Sequence, residues 1–409
     1  MRLGRAAPLA VFWFFFFGGI GIFFPYYALY LREDAGLAGG EIGLVIGTIP
    51  LIGLVAQPFW GNLADRTGAR SAVLAAVTVG SVLGYLLLAQ ARSFPAIVIA
   101  TAALASCSTS VLPAALAVTF AAVRGMGPHA FGLVRVWGTV GHLLTAALFP
   151  WVLAYFSPPA ADGTATGLRS LFYAAAACSL GAALVWPWMP RDREVALRAR
   201  RGEWRVLLRS RPVLRLIAFV LGGQLFLQGP NTLFPLLVRA RGGDLTTVGQ
   251  MWVVMLLVEI PLVLFAGAGV RRLGARGLLA IGVLVGGVRW ALCALAQDPI
   301  VLYAVQLLHG VMVVGLLLGG PIYLESVVPQ ELRSTAQGLL AMIGLGIGSI
   351  GSNTAGGWLL EHFGVEMPFL VGGLGAVALG CAALVILPRP EPPAPIAGIA
   401  YPVLSDDTA

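Results

Sequence analysis

Residues 61–70 read GNLADRTGAR, and residues 267–276 read GAGVRRLGAR. Gly61, Arg66, Gly68, Ala69 and Arg70 recur as Gly267, Arg272, Gly274, Ala275 and Arg276, at a constant offset of 206 in a chain of 409 residues. Upstream, Phe24-Pro25 and Phe234-Pro235 repeat at a similar interval. Self-similarity at half the chain length predicts two related halves. Each decamer is a short polar turn, with glycines that permit tight reversal and close helix approach, set between long apolar runs.

Those runs decide the class. Of the 409 residues, 58% are hydrophobic and 11% charged, against roughly a quarter charged in a soluble domain. A water-soluble enzyme is excluded, and the apolar stock supplies about twelve spans of roughly 20 residues. Twelve runs are present, near 9–31, 41–63, 71–91, 94–121, 133–156, 168–188, 213–238, 247–269, 277–296, 299–325, 335–360 and 367–388. The first exceeds a signal-peptide core and is expected to stay as a helix. The reading is therefore an all-α membrane protein of twelve transmembrane helices in two pseudo-symmetric six-helix bundles. The first bundle takes residues 1–189 and the second 213–388, with a linker at 190–212 and a tail at 389–409.

All 26 basic residues are arginine. Without lysine there is no Walker-type phosphate loop and no Schiff base, so uphill work would need an energy source other than its own ATPase site. The net charge of +8 does not mark a nucleic-acid partner, because the arginines form no basic domain. Twenty of them fall at the termini and in the even-to-odd loops, nine between Arg191 and Arg215. Arg32, Arg92, Arg169, Arg239 and Arg241 occupy the opposite loops, and Arg289 lies inside a span. The positive-inside rule then puts both termini in the cytoplasm. The arginine-dense linker reads as cytoplasmic, with an amphipathic interfacial helix as one form, and the proline-rich tail as disordered. Cys107, Cys178, Cys293 and Cys381 have no metal or redox spacing.

Parallel six-helix halves with a site between them near mid-membrane describe many secondary transporters. GNLADRTGAR, placed between spans 2 and 3, resembles the loop signature of the major facilitator superfamily. Within it, QPFWGNLADRTGAR (57–70), FGLVRVWGTVG (131–141), GVRW (287–290), QLLHG (306–310) and ELRSTAQG (331–338) resemble the lactose-permease-like branch with its nucleoside and phenylpropionate symporters. The resemblance implies alternating access of two halves and a conformational latch at Gly61, Asp65, Arg66, Gly68 and Arg70. There Asp65 caps a helix or pairs with an arginine of a neighbouring bundle.

Charged groups inside a bilayer are costly and mark function or a partner. Glu259 lies twelve residues before Arg271, Arg289 thirteen after Arg276, and His309 eleven after Asp298. Each therefore sits roughly 16–20 Å from its interface. An acid, a base and an imidazole at one depth predict a proton-coupled network, with a structural Glu259–Arg289 ion pair as the competing reading. The resemblance implies coupling roles for Arg289 and His309. It also exposes two departures: Met312 stands where those symporters carry a glutamate, and Pro113 is followed by Ala114, Ala115 and Leu116 rather than an acid. Glu259 is left as the one deep carboxylate.

By the same resemblance Arg135 contacts substrate; hydropathy alone makes it an anchor at a helix start. His142, seven residues on, shares its face and replaces a sugar-stacking aromatic of the lactose pattern. An arginine and a histidine suit an anionic or hydrogen-bonding solute; a satisfied core histidine is the alternative. Gln224, Gln228 and Asn231 form a polar stripe on span 7, with Gln228 and Asn231 expected in the pocket. Tyr30 is expected in the interfacial aromatic belt. The expectation is a transporter of a small organic solute, coupled to protons for uptake, or else an exporter or uncoupled facilitator. It resides in the inner membrane as a monomer among lipid and needs no cofactor or metal. An enzyme is not expected: none of His129, His142, His309 or His362 has an acid five residues on.

Overall fold

The computed structural model describes residues 7–124, 126, 129–156, 167–189 and 204–389. Among these, twelve helices are long and apolar enough to cross a membrane. They are α1 (Ala7–Asp34), α2 (Gly39–Thr67), α3 (Arg70–Gln90), α4 (Phe94–Val123), α5 (Ala130–Tyr155), α6 (Ser170–Trp188), α7 (Arg211–Ala240), α8 (Leu245–Val263), α9 (Gly269–Leu295), α10 (Pro299–Val327), α11 (Arg333–Phe363) and α12 (Met367–Ile386). The expected tail lies almost wholly outside the described residues. Of the expected linker only its C-terminal part is described, with one helical turn at Trp204–Leu207.

Local chemistry sets the helix ends. At α8, Asp244 accepts the Thr247 backbone N–H at 2.7 Å, and at α10 Asp298 accepts that of Ile300 at 2.7 Å ahead of Pro299 in the first turn. Both are N-caps that satisfy otherwise orphaned donors. Gly68 ends α2 at φ +64°, and Gly274, its counterpart at the 206-residue offset, turns the chain at φ +67°. The sequence repeat thus places a positive-φ glycine at both positions, where a side chain would be strained, although ψ differs, at 7° and 170°. The helix α10 breaks at Leu307–Leu308, between segments Pro299–Gln306 and His309–Val327. In α11 residues Leu340–Ile347 form a wider π-type turn.

Helix α1 packs on α5 and α6, α3 on α4 and α6, and α2 on α4, which makes one bundle. In the other, α9 packs on α10 and α12, α7 on α11 and α12, and α8 on α10. The bundles meet through α2 with α11, α5 with α8, and α1 with α7. Gly43 lies so close to α11 that a Cβ there would stand 2.9 Å from the Gly357 Cα. Nearby, the Gly40 backbone N–H donates to Glu361 Oε2 at 2.7 Å. Across α1 and α7, Arg239 donates to both carboxylate oxygens of Glu33, at 2.6 and 3.3 Å. Glu33 and Arg239 stand near corresponding ends of the first helix of each half, as expected of a contact beside a two-fold pseudo-axis. These contacts seal the bundle at the face opposite the arginine-rich loops.

One expectation is corrected here. Tyr30 is not in an interfacial belt: it is fully buried, with its ring edge-on to Phe172 at 4.6 Å. The packing of α6 on α1 takes it inside.

Candidate functional site

The central groups are held by two helices that face each other across the boundary. Helices α5 and α8 run antiparallel and come closest where Gly249 meets Ala146 and Pro150. Tyr26 of α1 pins the crossing by donating to the carbonyls of Ala146 at 3.2 Å and Leu245 at 3.4 Å. Eleven residues before Ala146 is Arg135, and ten after Gly249 is Glu259. At 1.5 Å rise per residue both lie about 16 Å from the crossing. By the same register His142 comes level with Trp252, whose ring is edge-on to Phe24 of α1 at 5.2 Å.

Arg135 is half-buried, with its guanidinium 3.9 Å from the Phe17 ring centroid and 4.9 Å from that of Trp13. Trp13 is fixed in turn by its indole N–H, which donates to Thr119 Oγ1 at 3.0 Å. Two aromatic faces stabilise a cation without neutralising it. These contacts hold Arg135 against α1 within its own half. His142 is buried, 6.4 Å from the Phe17 ring, and its Nε2 has no hydrogen-bond partner among the described residues.

On the second half, Glu259 Oε2 lies 3.7 Å from His309 Nε2. Gly310 brings this about: a Cβ there would stand 3.0 Å from the Glu259 Cα, so α10 approaches α8 closely enough to lay His309 beside the carboxylate. His309 opens the second segment of α10, directly after the break. Glu259 keeps a quarter of its side-chain surface accessible.

Arg289 is fully buried but has no ion pair with Glu259 among the described residues. Its Nε and Nη2 both donate to Gln306 Oε1, at 3.0 and 2.6 Å, and Nη2 also reaches Met255 Sδ at 3.4 Å. Its guanidinium lies 3.8 Å from the Trp290 centroid, and Nη1 is left without a partner. A buried arginine within a membrane helix is costly, and here only neutral groups offset it. Gln306 is held in its turn by the Leu302 carbonyl, to which it donates at 2.8 Å. The sequence reading passed over Gln306, although it begins QLLHG and lies one turn before His309. It also passed over Trp252, Trp13 and Phe17, which nothing distinguished from ordinary apolar lining.

The remaining expected residues are further from this centre. Gln228 Nε2 donates to Thr232 Oγ1 at 3.4 Å along α7, and Asn231 Oδ1 is buried without a partner among the described residues. In the 61–70 loop, Asp65 pairs with Arg70 at 3.5 Å inside its own half. Neighbouring-bundle pairing is therefore not the arrangement here, because the halves meet at the other end. Gly61 has open space around it, Gly68 makes the turn and Arg66 is exposed. A groove of about 500 Å³ between α1 and α5 is lined by apolar and aromatic residues such as Val11, Phe14, Leu133 and Trp137; it offers little to a polar solute.

The sequence model of the MFS_1 like family matches residues 7–371. The chain belongs to that family. It is a transporter of the major facilitator superfamily, not an enzyme. The maltose permease of Geobacillus stearothermophilus is 29% identical over 393 residues, covering 95% of each chain. The multidrug resistance protein MdtH of Aeromonas salmonicida (strain A449) is 25% identical over 379 residues, covering 90% of this chain and 91% of its own. The crystal structure of the nucleoside transporter NupG superposes with a TM-score of 0.81 at 17% identity, over 93% of this chain and 98% of that one. At such low identity this last likeness speaks for the fold.

Proposed function

We propose that the protein takes up a small, hydrogen-bonding organic solute together with protons, by alternating access of its two halves. It does so in the inner membrane, as a monomer with both termini in the cytoplasm. The reading is supported by Glu259, whose Oε2 lies 3.7 Å from His309 Nε2 and whose helix register across the boundary matches that of Arg135 on the other half. A proton on Glu259 removes its attraction to Arg135 across the boundary. One attraction between the halves is thus an attraction that a proton cancels. Arg135, His142, Gln228 and Asn231 offer the polar contacts; Arg289 and His309 complete the charge network with Glu259. The loop of Gly61, Asp65, Arg66, Gly68 and Arg70 latches the states in which the arginine-rich ends close. The maltose permease, similar along nearly its whole length, supports a small polar solute.

A ligand-stabilisation screen on the purified protein tests this, with sugars, nucleosides, aromatic acids and small carboxylates at two pH values. A solute whose stabilisation grows at the lower pH is expected; binding indifferent to pH contradicts proton linkage. The similarity to MdtH favours a second reading, export in exchange for protons. Expression in a pump-deficient host separates the two, because an importer raises accumulation and an exporter raises resistance.

A further inference from the structure

The charges at the centre of the molecule do not balance. Among the described residues deep within the spans, Arg135 and Arg289 are cations and Glu259 is the one carboxylate, with His142 and His309 as titratable neighbours. His309 of α10 faces Glu259 at 3.7 Å, and Arg135 of α5 lies at the matching register across the boundary, reached from the Gly249–Ala146 approach. Arg289, on α9, acts on His309. Its polar partners are the neutral Gln306 and Met255, and Nη1 is buried with none. Arg135 rests on the flat faces of Phe17 and Trp13, which leave the edge of the guanidinium as its hydrogen-bonding side. With Glu259 ionised the site carries one excess positive charge; with Glu259 protonated it carries two. Buried charge of one sign is stabilised by a counter-charge in good geometry, and a guanidinium edge matches a carboxylate at two points.

We propose that the solute is a small organic carboxylate, bound at the edge of Arg135 and balanced against the field of Arg289. This deepens the transporter reading above and rests on it. Ionised Glu259 competes with the solute for Arg135, and protonated Glu259 releases Arg135 to it. Proton and anion therefore bind better together than apart, and one of each crosses without net charge. A neutral solute would leave Arg135 uncompensated once Glu259 is protonated.

The test uses matched pairs that differ in the carboxylate: glucuronate and glucose, maltobionate and maltose, 3-phenylpropionate and its amide. Binding to the purified full chain is measured by calorimetry, and uptake by reconstituted vesicles. In at least one pair the carboxylate is expected to bind tenfold or more tightly than its neutral partner. Its uptake should follow an imposed pH gradient and ignore an imposed membrane potential. Arg135→Gln should erase the preference. Arg135→Lys, which keeps the charge and loses the fork, should weaken carboxylate binding at unchanged melting temperature. If no carboxylate outbinds its neutral partner, or if uptake moves net positive charge inward, the proposal is overturned. pH-driven uptake of a neutral member would overturn it while leaving the transporter reading standing; a protein whose uptake ignores pH for every solute would overturn both.

Discussion

Replacing Glu33 with Gln removes the ionic contact that closes the face opposite the arginine-rich loops. The contact is bidentate, at 2.6 and 3.3 Å, and its two side chains keep 18% and 34% of their surface exposed. A fully exposed pair contributes about 0.2–1 kcal/mol and a hydrogen bond to a charged group about 1.5–3 kcal/mol. Discounted for a third exposure of Arg239, the pair contributes roughly 1 kcal/mol to the closed arrangement. That is about a fivefold change in the ratio of closed to open molecules at that face. Spin labels at Ser93→Cys and Gln297→Cys, on exposed loops of the two halves at that face, report the ratio by pulsed dipolar spectroscopy once the four native cysteines are replaced. Glu33→Gln should raise the longer-distance population about fivefold, Arg239→Gln should match it, and the double variant should add little beyond either. An unchanged distance distribution, or fully additive effects, would refute the reasoning.

Three further outcomes are expected. Gly43→Trp cannot fit where α2 meets Gly357 and the Asn353 carbonyl, so the sealed face should become accessible to impermeant thiol reagents and transport should stop. Gln306→Leu strips Arg289 of both bonds to Oε1 and should lower stability by about 2–3 kcal/mol, read as a fall in melting temperature in detergent; Gln306→Asn should recover little, its shorter side chain falling short of the guanidinium. Asp244→Ala removes the N-cap of α8, for about 1 kcal/mol. Bonds from Thr247 hold the Asp244 carboxyl below its ordinary value of 3.8. The cap's contribution is thus complete above about pH 4 and fades as the pH falls through the lowered folded-state value. Wild type and variant should therefore converge in melting temperature in acid.

The helices and the matched halves were legible because hydropathy and arginine placement are properties of long segments, which no single contact overrides. The turn at Gly68 and its echo at Gly274 were legible for the opposite reason: each is a local backbone requirement. Pairings were harder to read. The depth of Arg289 was evident, but its partner was sought among acids, whereas Gln306, one turn before His309, meets it from α10. The expected partner of Asp65 lay in a neighbouring bundle, yet Arg70 of its own loop meets it, because the halves are apart at that face. The Glu33–Arg239 contact follows from no local spacing.

The central claim is that Glu259 carries the proton that links the two halves, and Glu259→Gln tests it most directly. In reconstituted vesicles the variant should lose uphill accumulation driven by a pH gradient and retain exchange of labelled for unlabelled solute. Uphill, pH-driven accumulation that survives the substitution would contradict the account.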